Sequence, residues 1–326
     1  MKPLKIVRAV EWWEYKFPPI LVGVYVMLTN LSPAPLYNLF NCFVLIVLSL
    51  ITGAVYVSIL NDVTDLQEDK RAGKQNRMSS YKRLSQLVFV CIPLVPAVFF
   101  AWYLRQNLLS MSLYVSCYIV FTLYSLPPVR LKKRGFPGII ADATGSQMLP
   151  TLYAAACASA FLNISLHNVE WISLALWSFC FGLRGILWHQ FHDMENDKKS
   201  GLRTWVQSLS HRKTKITGII LISIEVFALC VLLINTGQYV CFLSLGLYLV
   251  YLYWRYKKNA VEIVMFRYTR ANYCIFMNEY YQVFLPLALL MGLAAGHHEY
   301  LYLLIVHVLI FPMGSYRVLK HSFSYQ

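Results

Sequence analysis

Uninterrupted apolar runs, each close to the length that crosses a hydrocarbon layer, recur along this chain of 326 residues. They lie at residues 17–31, 39–60, 86–104, 109–126, 138–162, 171–188, 216–236, 239–254, 273–295 and 300–316. A bilayer core roughly 30 Å thick takes about 17–25 helical residues. Inside it every backbone polar group has to be satisfied within the protein. The runs are continuous rather than alternating, which argues against a β-barrel. The expected fold is an all-α polytopic membrane protein of nine or ten transmembrane helices, one domain over residues 1–326. Charged residues make up 13% of the chain, against about 25% in soluble domains.

The basic residues orient the helices. With the N-terminus inside, 27 of the 29 Lys and Arg fall in inner loops or the inner termini, leaving Arg105 in an outer loop and Arg184 within a span. This is the positive-inside pattern. It places the active loops on the cytoplasmic side of a multi-pass membrane protein, the cell inner membrane if the source is bacterial. Anionic lipid headgroups account for part of the net charge of +14, so no nucleic-acid partner is needed. No cleavable leader is evident, because Glu11 and Glu14 follow the basic residues that precede the first span. The eight cysteines stand singly in apolar runs and read as small packing residues.

Seven of the fifteen acidic residues fall in two windows, Asn61–Asp69 and Asp193–Asp197, at the ends of the second and sixth spans. That repetition weakly suggests a duplicated four-helix unit around a central cavity. Asn61, Asp65 and Asp69 are spaced i, i+4, i+8, and Asp193 and Asp197 are spaced i, i+4. On helices such residues stack along one face, where like charges repel without a cation. Magnesium prefers oxygen ligands and takes one or two carboxylates together with substrate phosphates. Two facing helix ends of this kind suit Mg²⁺ ions around a diphosphate. His189 and His192 precede Asp193, but an HxxH pair with one acid lacks the ligand set of a zinc site, and a supporting role beside the metal fits them better.

The pattern NDxxDxxxD in the first inner loop, with DxxxD in the third, resembles that of the UbiA superfamily of intramembrane prenyltransferases. Tyr124–Gly135 looks like the YSxPPxRLKxxG loop of its chlorophyll synthase and lipid-quinone branch, and Asp197–Thr204 is similar to the DxxxGxxT tail that follows the second motif. The resemblance implies about nine helices around a cavity. It also implies transfer of an isoprenyl group from a polyprenyl diphosphate to a small-molecule or lipid acceptor. By the same resemblance, Asp62, Asp65, Asp69, Asp193 and Asp197 hold Mg²⁺, with Asn61 as a neutral ligand or an orienter. Lys70, Arg71, Arg77, Arg130, Lys132 and Arg203 grip the diphosphate. Asp65, Asp193, Lys132 and Arg130 are the expected catalytic core.

The chain departs from the resemblance in two places. Members acting on carboxylated aromatic acceptors carry an Arg early in the first span, where this chain has Lys16, a point charge without the guanidinium fork. An RPI-like stretch after the first motif is replaced by Lys74–Met78. Asp142, Arg184, Glu225 and Glu279 lie within spans, where ionisable groups face a cavity or a partner. Asp142 is expected in the pocket, and Arg184 on the diphosphate or on an acid. Tyr124, Tyr153, Tyr280 and Tyr281 are candidates to face an allylic cation, although most tyrosines in such a chain pack or form interfacial belts. Two rivals share these features: a prenyl cyclase on the same fold, and a transporter, which would place its binding residues nearer the midplane.

Overall fold

The computed structural model describes residues 7–30, 36–201 and 204–323. Its helices are α1 (Ala9–Leu28), α2 (Leu36–Arg71), α3 (Arg83–Cys91), α4 (Leu94–Tyr103), α5 (Leu108–Ser125), α6 (Phe136–Ala143), α7 (Leu149–Leu162), α8 (Asn168–His192) and α9 (Met194–Ser200). They continue as α10 (His211–Asn235), α11 (Val240–Asn259), α12 (Leu285–Gly296), α13 (Tyr300–Ile310) and α14 (Pro312–Phe323). Among the described residues five helical segments are long and apolar enough to cross a bilayer: Tyr37–Arg71, Arg83–Gln106, Leu108–Ser125, Asn168–His192 and His211–Asn235. A sixth candidate, Tyr300–Ile310 with Pro312–Lys320, is bent by 71°. Other expected spans are present as helices but are shorter, broken or richer in charge. One expected span needs correction: residues 273–277 are not helical. Tyr273–Ile275 instead forms strand β2, paired parallel with β1 (Glu262–Val264).

At the centre lies α7, which packs against α1, α2, α5 and α8. Its sequence explains the position. Ala154, Ala155, Ala156, Cys157 and Ala158 are all at most 1% exposed, and small side chains let backbones approach in lipid, where burying oil against oil gains nothing. A Cβ on Gly23 of α1 would stand 2.6 Å from the Thr151 carbonyl oxygen, so only glycine allows this contact. Gly182 on α8 meets Ala143 in the same way, at 2.8 Å. The large exposed apolar side chains of α3 and α4 (Leu84, Leu87, Val95, Phe99 and Trp102) face outward as lipid contacts.

Two helical rods carry the same irregularity. A π turn at Thr144–Met148 precedes Leu149-Pro150, and another at Tyr280–Phe284 precedes Leu285-Pro286. Proline cannot donate to the carbonyl one turn back and its ring crowds that carbonyl, so the chain widens locally. The Leu149 and Leu285 N–H groups reach Thr144 and Tyr280 instead. These turns fall in the fifth and ninth apolar runs, four runs apart.

Arg184 is the main polar tie of the second half. Its Nε and Nη2 donate to Glu225 Oε2 and Oε1, both at 2.7 Å, and its Nη1 donates to the carbonyls of Met265 (3.1 Å) and Phe276 (2.9 Å). Of the two expected roles, Arg184 therefore takes the acid pair. It joins α8, α10 and both flanks of the β1–β2 segment and does not line the main cavity. Glu279 is likewise paired, with Arg255 at 2.6 Å. Removing one partner of a buried pair strands the other charge, at about 3–5 kcal/mol. Arg184→Met should therefore destabilise the protein by that amount, and adding Glu225→Leu should recover part of the loss. Thermal unfolding of the single and double variants in detergent checks both; equal stability of Arg184→Met and the unsubstituted protein would dismiss the tie.

Candidate active site

One cavity of about 510 Å³ gathers acids of both sequence motifs. Its walls come from α1 (Trp12, Lys16), α2 (Ser49, Tyr56, Asn61, Asp65, Asp69), α5 (Tyr114, Tyr118, Tyr124), α6 (Asp142), α7 (Tyr153), α8 (His189, Asp193) and α9 (Asn196, Asp197). Acids of both motifs and aromatic residues of α5 and α7 line it together. Helix α2 has 36 residues, about 54 Å at 1.5 Å per residue, so its last turns extend well past a hydrocarbon core of roughly 30 Å. Asn61, Asp65 and Asp69 sit on this overhang. The second motif reaches the same cavity by a different route: Asp193 ends α8, and Asp197 lies on the short α9, its N–H donating to the Asp193 carbonyl at 2.9 Å.

Each carboxylate in the first motif is held by named partners. Lys132 Nζ contacts Asp65 Oδ1, and Arg130 Nη2 lies 3.3 Å from the same oxygen. Arg130 also donates to the Thr64 carbonyl at 2.8 Å and pairs with Glu68 at 3.0 Å. These bonds offset an unfavourable backbone, since Arg130 sits at φ 39°, a left-handed conformation costing on the order of 1–3 kcal/mol. Asn76 Nδ2 donates to Asp69 Oδ2 at 2.7 Å and to the Asp62 carbonyl at 2.8 Å, while its Oδ1 accepts from the Met78 N–H. Asn61 Oδ1 accepts from Ser125 Oγ at 2.6 Å, which ties α2 to the end of α5. Across the cavity Lys74 Nζ donates to Asp193 Oδ1 at 3.0 Å, so the loop after α2 bridges the two motifs.

Several expected site residues lie elsewhere. Asp62, expected among the metal ligands, is 1% exposed and is enclosed by Arg8 at 2.6 Å and Arg77 at 3.5 Å. Its charge is spent on fastening the N-terminal segment and the loop after α2. Arg77, expected on the diphosphate, pairs with Asp62 and, at 2.9 Å, with Glu11. Lys70 and Arg71 are exposed and do not line the cavity; their helix turns carry them to the outer face. Arg130 stands behind Asp65 rather than on the wall. Arg203 falls outside the described residues. Tyr124 and Tyr153 do face the cavity, whereas Tyr280 and Tyr281 are buried in packing, Tyr280 donating to the Cys241 carbonyl at 2.8 Å. His189 lines the cavity, and His192 turns to the Tyr268 hydroxyl at 2.8 Å.

Lys74, Asn76, Glu68 and Ser125 were missed in the sequence. Lys74 and Asn76 lie in the stretch that departs from the resemblance, and Ser125 opens the proline loop, so position carried a signal that residue type did not. Among the described residues no three His, Cys, Asp or Glu side chains cluster closely enough to hold a metal ion by themselves. The donors are hard oxygens drawn from α2 on one side and from Asp193 and Asp197 on the other, which suits an ion that completes its shell with phosphate oxygens.

The UbiA prenyltransferase family profile matches residues 16–270. Three solved structures of a UbiA homolog from Archaeoglobus fulgidus share the fold. The one bound to GPP and Mg²⁺ is 15% identical with a TM-score of 0.56, over 91% of this chain and 98% of that one. The one bound to DMAPP and Mg²⁺ is 14% identical with a TM-score of 0.56, over 90% and 98%. The one bound to Cd²⁺ is 15% identical with a TM-score of 0.53, over 89% and 97%. Comparison with curated protein sequences finds no match.

Burial and the neighbouring Asp193 push the Asp197 carboxyl up to about 6. The folded protein thus favours the protonated form, a stabilisation complete below the ordinary carboxylate pKa of 3.8 and lost as pH rises through about 6. Asp197→Asn should therefore raise the melting temperature of the metal-free protein at pH 7.5, by about 2–4 °C for each kcal/mol recovered. The gain should shrink as pH falls below about 6. Melting curves of both proteins across pH 4–8 decide it, and a gain that does not vary with pH would refute the assignment.

Proposed function

The chain belongs to the UbiA prenyltransferase family, and from that premise we propose that it transfers an isoprenyl group from an allylic polyprenyl diphosphate to an acceptor inside the membrane. The acceptor is an aromatic or quinone precursor, or a lipid-like molecule. The observation that carries this reading is the convergence of Asp65 and Asp69 with Asp193 and Asp197 on one cavity that Tyr114, Tyr118, Phe121 and Tyr153 also line. A molecule with a diphosphate head and an isoprenyl tail matches both kinds of lining. The homolog structures bound to GPP or DMAPP with Mg²⁺ support it further.

Mg²⁺ is the proposed cofactor, held by Asp65, Asp69, Asp193 and Asp197 with Asn61 set by Ser125. When bound, it supplies neutralisation of the charge that builds on the leaving diphosphate. The chain's own cations add to this. Lys132 and Lys74 stand beside one carboxylate of each motif, positions from which an ammonium reaches a phosphate oxygen. Arg130 positions Asp65 and Glu68 rather than gripping substrate. Breaking the allylic C–O bond leaves a cation, which faces of Tyr114, Tyr118, Tyr124 and Tyr153 attract through their ring electrons. The apolar walls keep water from capturing that cation before the acceptor does. The bias of basic residues toward one side supports a cytoplasmic active site in a multi-pass membrane protein, in the inner membrane if the source is bacterial.

Asp65→Ala and Asp193→Ala should each lower turnover of labelled allylic diphosphate by about 100-fold or more, the scale for losing one preorganised electrostatic group. Both variants should remain folded and membrane-inserted, and EDTA should silence the unsubstituted protein. Lys132→Ala should mainly raise KM. Either aspartate variant working at near-normal rate would remove that residue from the metal set.

A further inference from the structure

The two motifs do not account for every carboxylate in the cavity. Asp142 lines it from α6. There it accepts a hydrogen bond from Ser146 one turn on and feels the charge of Lys16, another lining residue. Among the described residues it makes no ion pair. The other lining acids are committed. Glu11 pairs with Arg8 and Arg77, Asp65 with Lys132 and Arg130, Glu68 with Arg130 and Lys133, and Asp193 with Lys74. Asp69 accepts from Asn76, and Asp197 belongs to the second motif. Tyr124 lies in the field of both Asp142 and Asp197, so Asp142 shares the chamber in which the diphosphate would ionise. Gln190, 8% exposed, lines the same cavity, and its Oε1 has no partner among the described residues. A buried acceptor of this kind is costly unless a ligand supplies the donor.

We propose that Asp142 is the base that takes the proton from the acceptor, with Ser146 hydrogen-bonded to its carboxylate and Gln190 receiving a donor group of the same molecule. This rests on the transferase reading above. As the allylic C–O bond breaks, its electron pair leaves on the diphosphate oxygen. The acceptor's reacting atom donates a pair to form the new bond to the terminal prenyl carbon, and the proton on that atom passes to Asp142. The acceptor must therefore carry hydrogen where it reacts: a hydroxyl O–H, or a ring C–H made nucleophilic by a hydroxyl. A metal-bound carboxylate is a poor base, since its electron pairs are engaged. A carboxylate outside both motifs and free of an ion pair among the described residues resolves that conflict.

The test uses the full chain in membranes with Mg²⁺, labelled geranyl, farnesyl and geranylgeranyl diphosphates, and a lipid extract of cells in which the chain naturally occurs as acceptor source. Asp142→Asn should lower prenylated product by about 100-fold or more, the scale of general-base catalysis, while Mg²⁺-dependent binding of the diphosphates changes less than about twofold. The diphosphate it still releases should come with prenyl alcohol, from capture by water. Asp142→Glu, which keeps the carboxylate, should return at least about a tenth of the product. Product from Asp142→Asn within about tenfold of the unsubstituted protein overturns the role. So does parallel loss of diphosphate binding, which would mark Asp142 as structural. If the unsubstituted protein prenylates nothing in the extract, the transferase reading itself fails and this role falls with it.

Discussion

Two unit charges of like sign 4 Å apart repel by about 4 kcal/mol at an effective dielectric of 20, and by more where water is thinner. This chain places Asp65 one turn before Glu68 and Asp69 on one helix and brings Asp193 and Asp197 to the same cavity. Such a gathering persists because each member is given a cation or a donor. Lys132, Arg130 and Lys133 come from the proline loop, Lys74 and Asn76 from the loop after α2. The folding of both loops is in this sense dictated by the acids. The Pro127–Arg134 segment brings its basic residues back over the end of α2, and residues 74–78 cross from one motif to the other. Electrostatic need, more than apolar packing, shapes this face of the protein.

The apolar side follows other rules. Helix α7 is small-residued and central, and Gly23 and Gly182 allow backbones to touch. The π turns before Pro150 and Pro286 let two rods bend without leaving carbonyls stranded in lipid. The two turns differ in what surrounds them. The π turn of the fifth run lies beside Asp142 and Ser146 on the cavity wall, while that of the ninth buries Tyr280 and Tyr281 in packing.

Class, family and the two acidic windows were legible in the sequence, because hydropathy runs and i, i+4 carboxylates survive without knowledge of partners. The face shared by Asn61, Asp65 and Asp69 followed from helical spacing alone. What spacing could not tell was which cation each acid would meet. Asp62 neighbours Asn61 in sequence yet is claimed by Arg8 and Arg77, whose approach depends on how the N-terminal segment and the loop after α2 fold back. Arg184 was expected on the diphosphate or on an acid because an intramembrane guanidinium needs an anion; that the anion is Glu225, 41 residues on, is a fact of α8 against α10. The strand at 273–275 was hidden by its apolar residues, which read as helix until a parallel partner at 262–264 was in view.

The overhang of α2 has one further consequence. With residues 39–60 of α2 spanning the hydrocarbon core, the acids that follow would fall at the level of lipid headgroups, and Ser49 and Tyr56, which line the same cavity, at the depth of acyl chains. The proposed substrate, a diphosphate with an isoprenyl tail, would occupy those two levels when dissolved in a leaflet and so reach this site by lateral diffusion without first dissolving in water. The concentration the protein senses is then substrate per lipid, set by partitioning. Rates compared between detergent, nanodisc and membrane become commensurable only when expressed as mole fraction in the amphiphile phase.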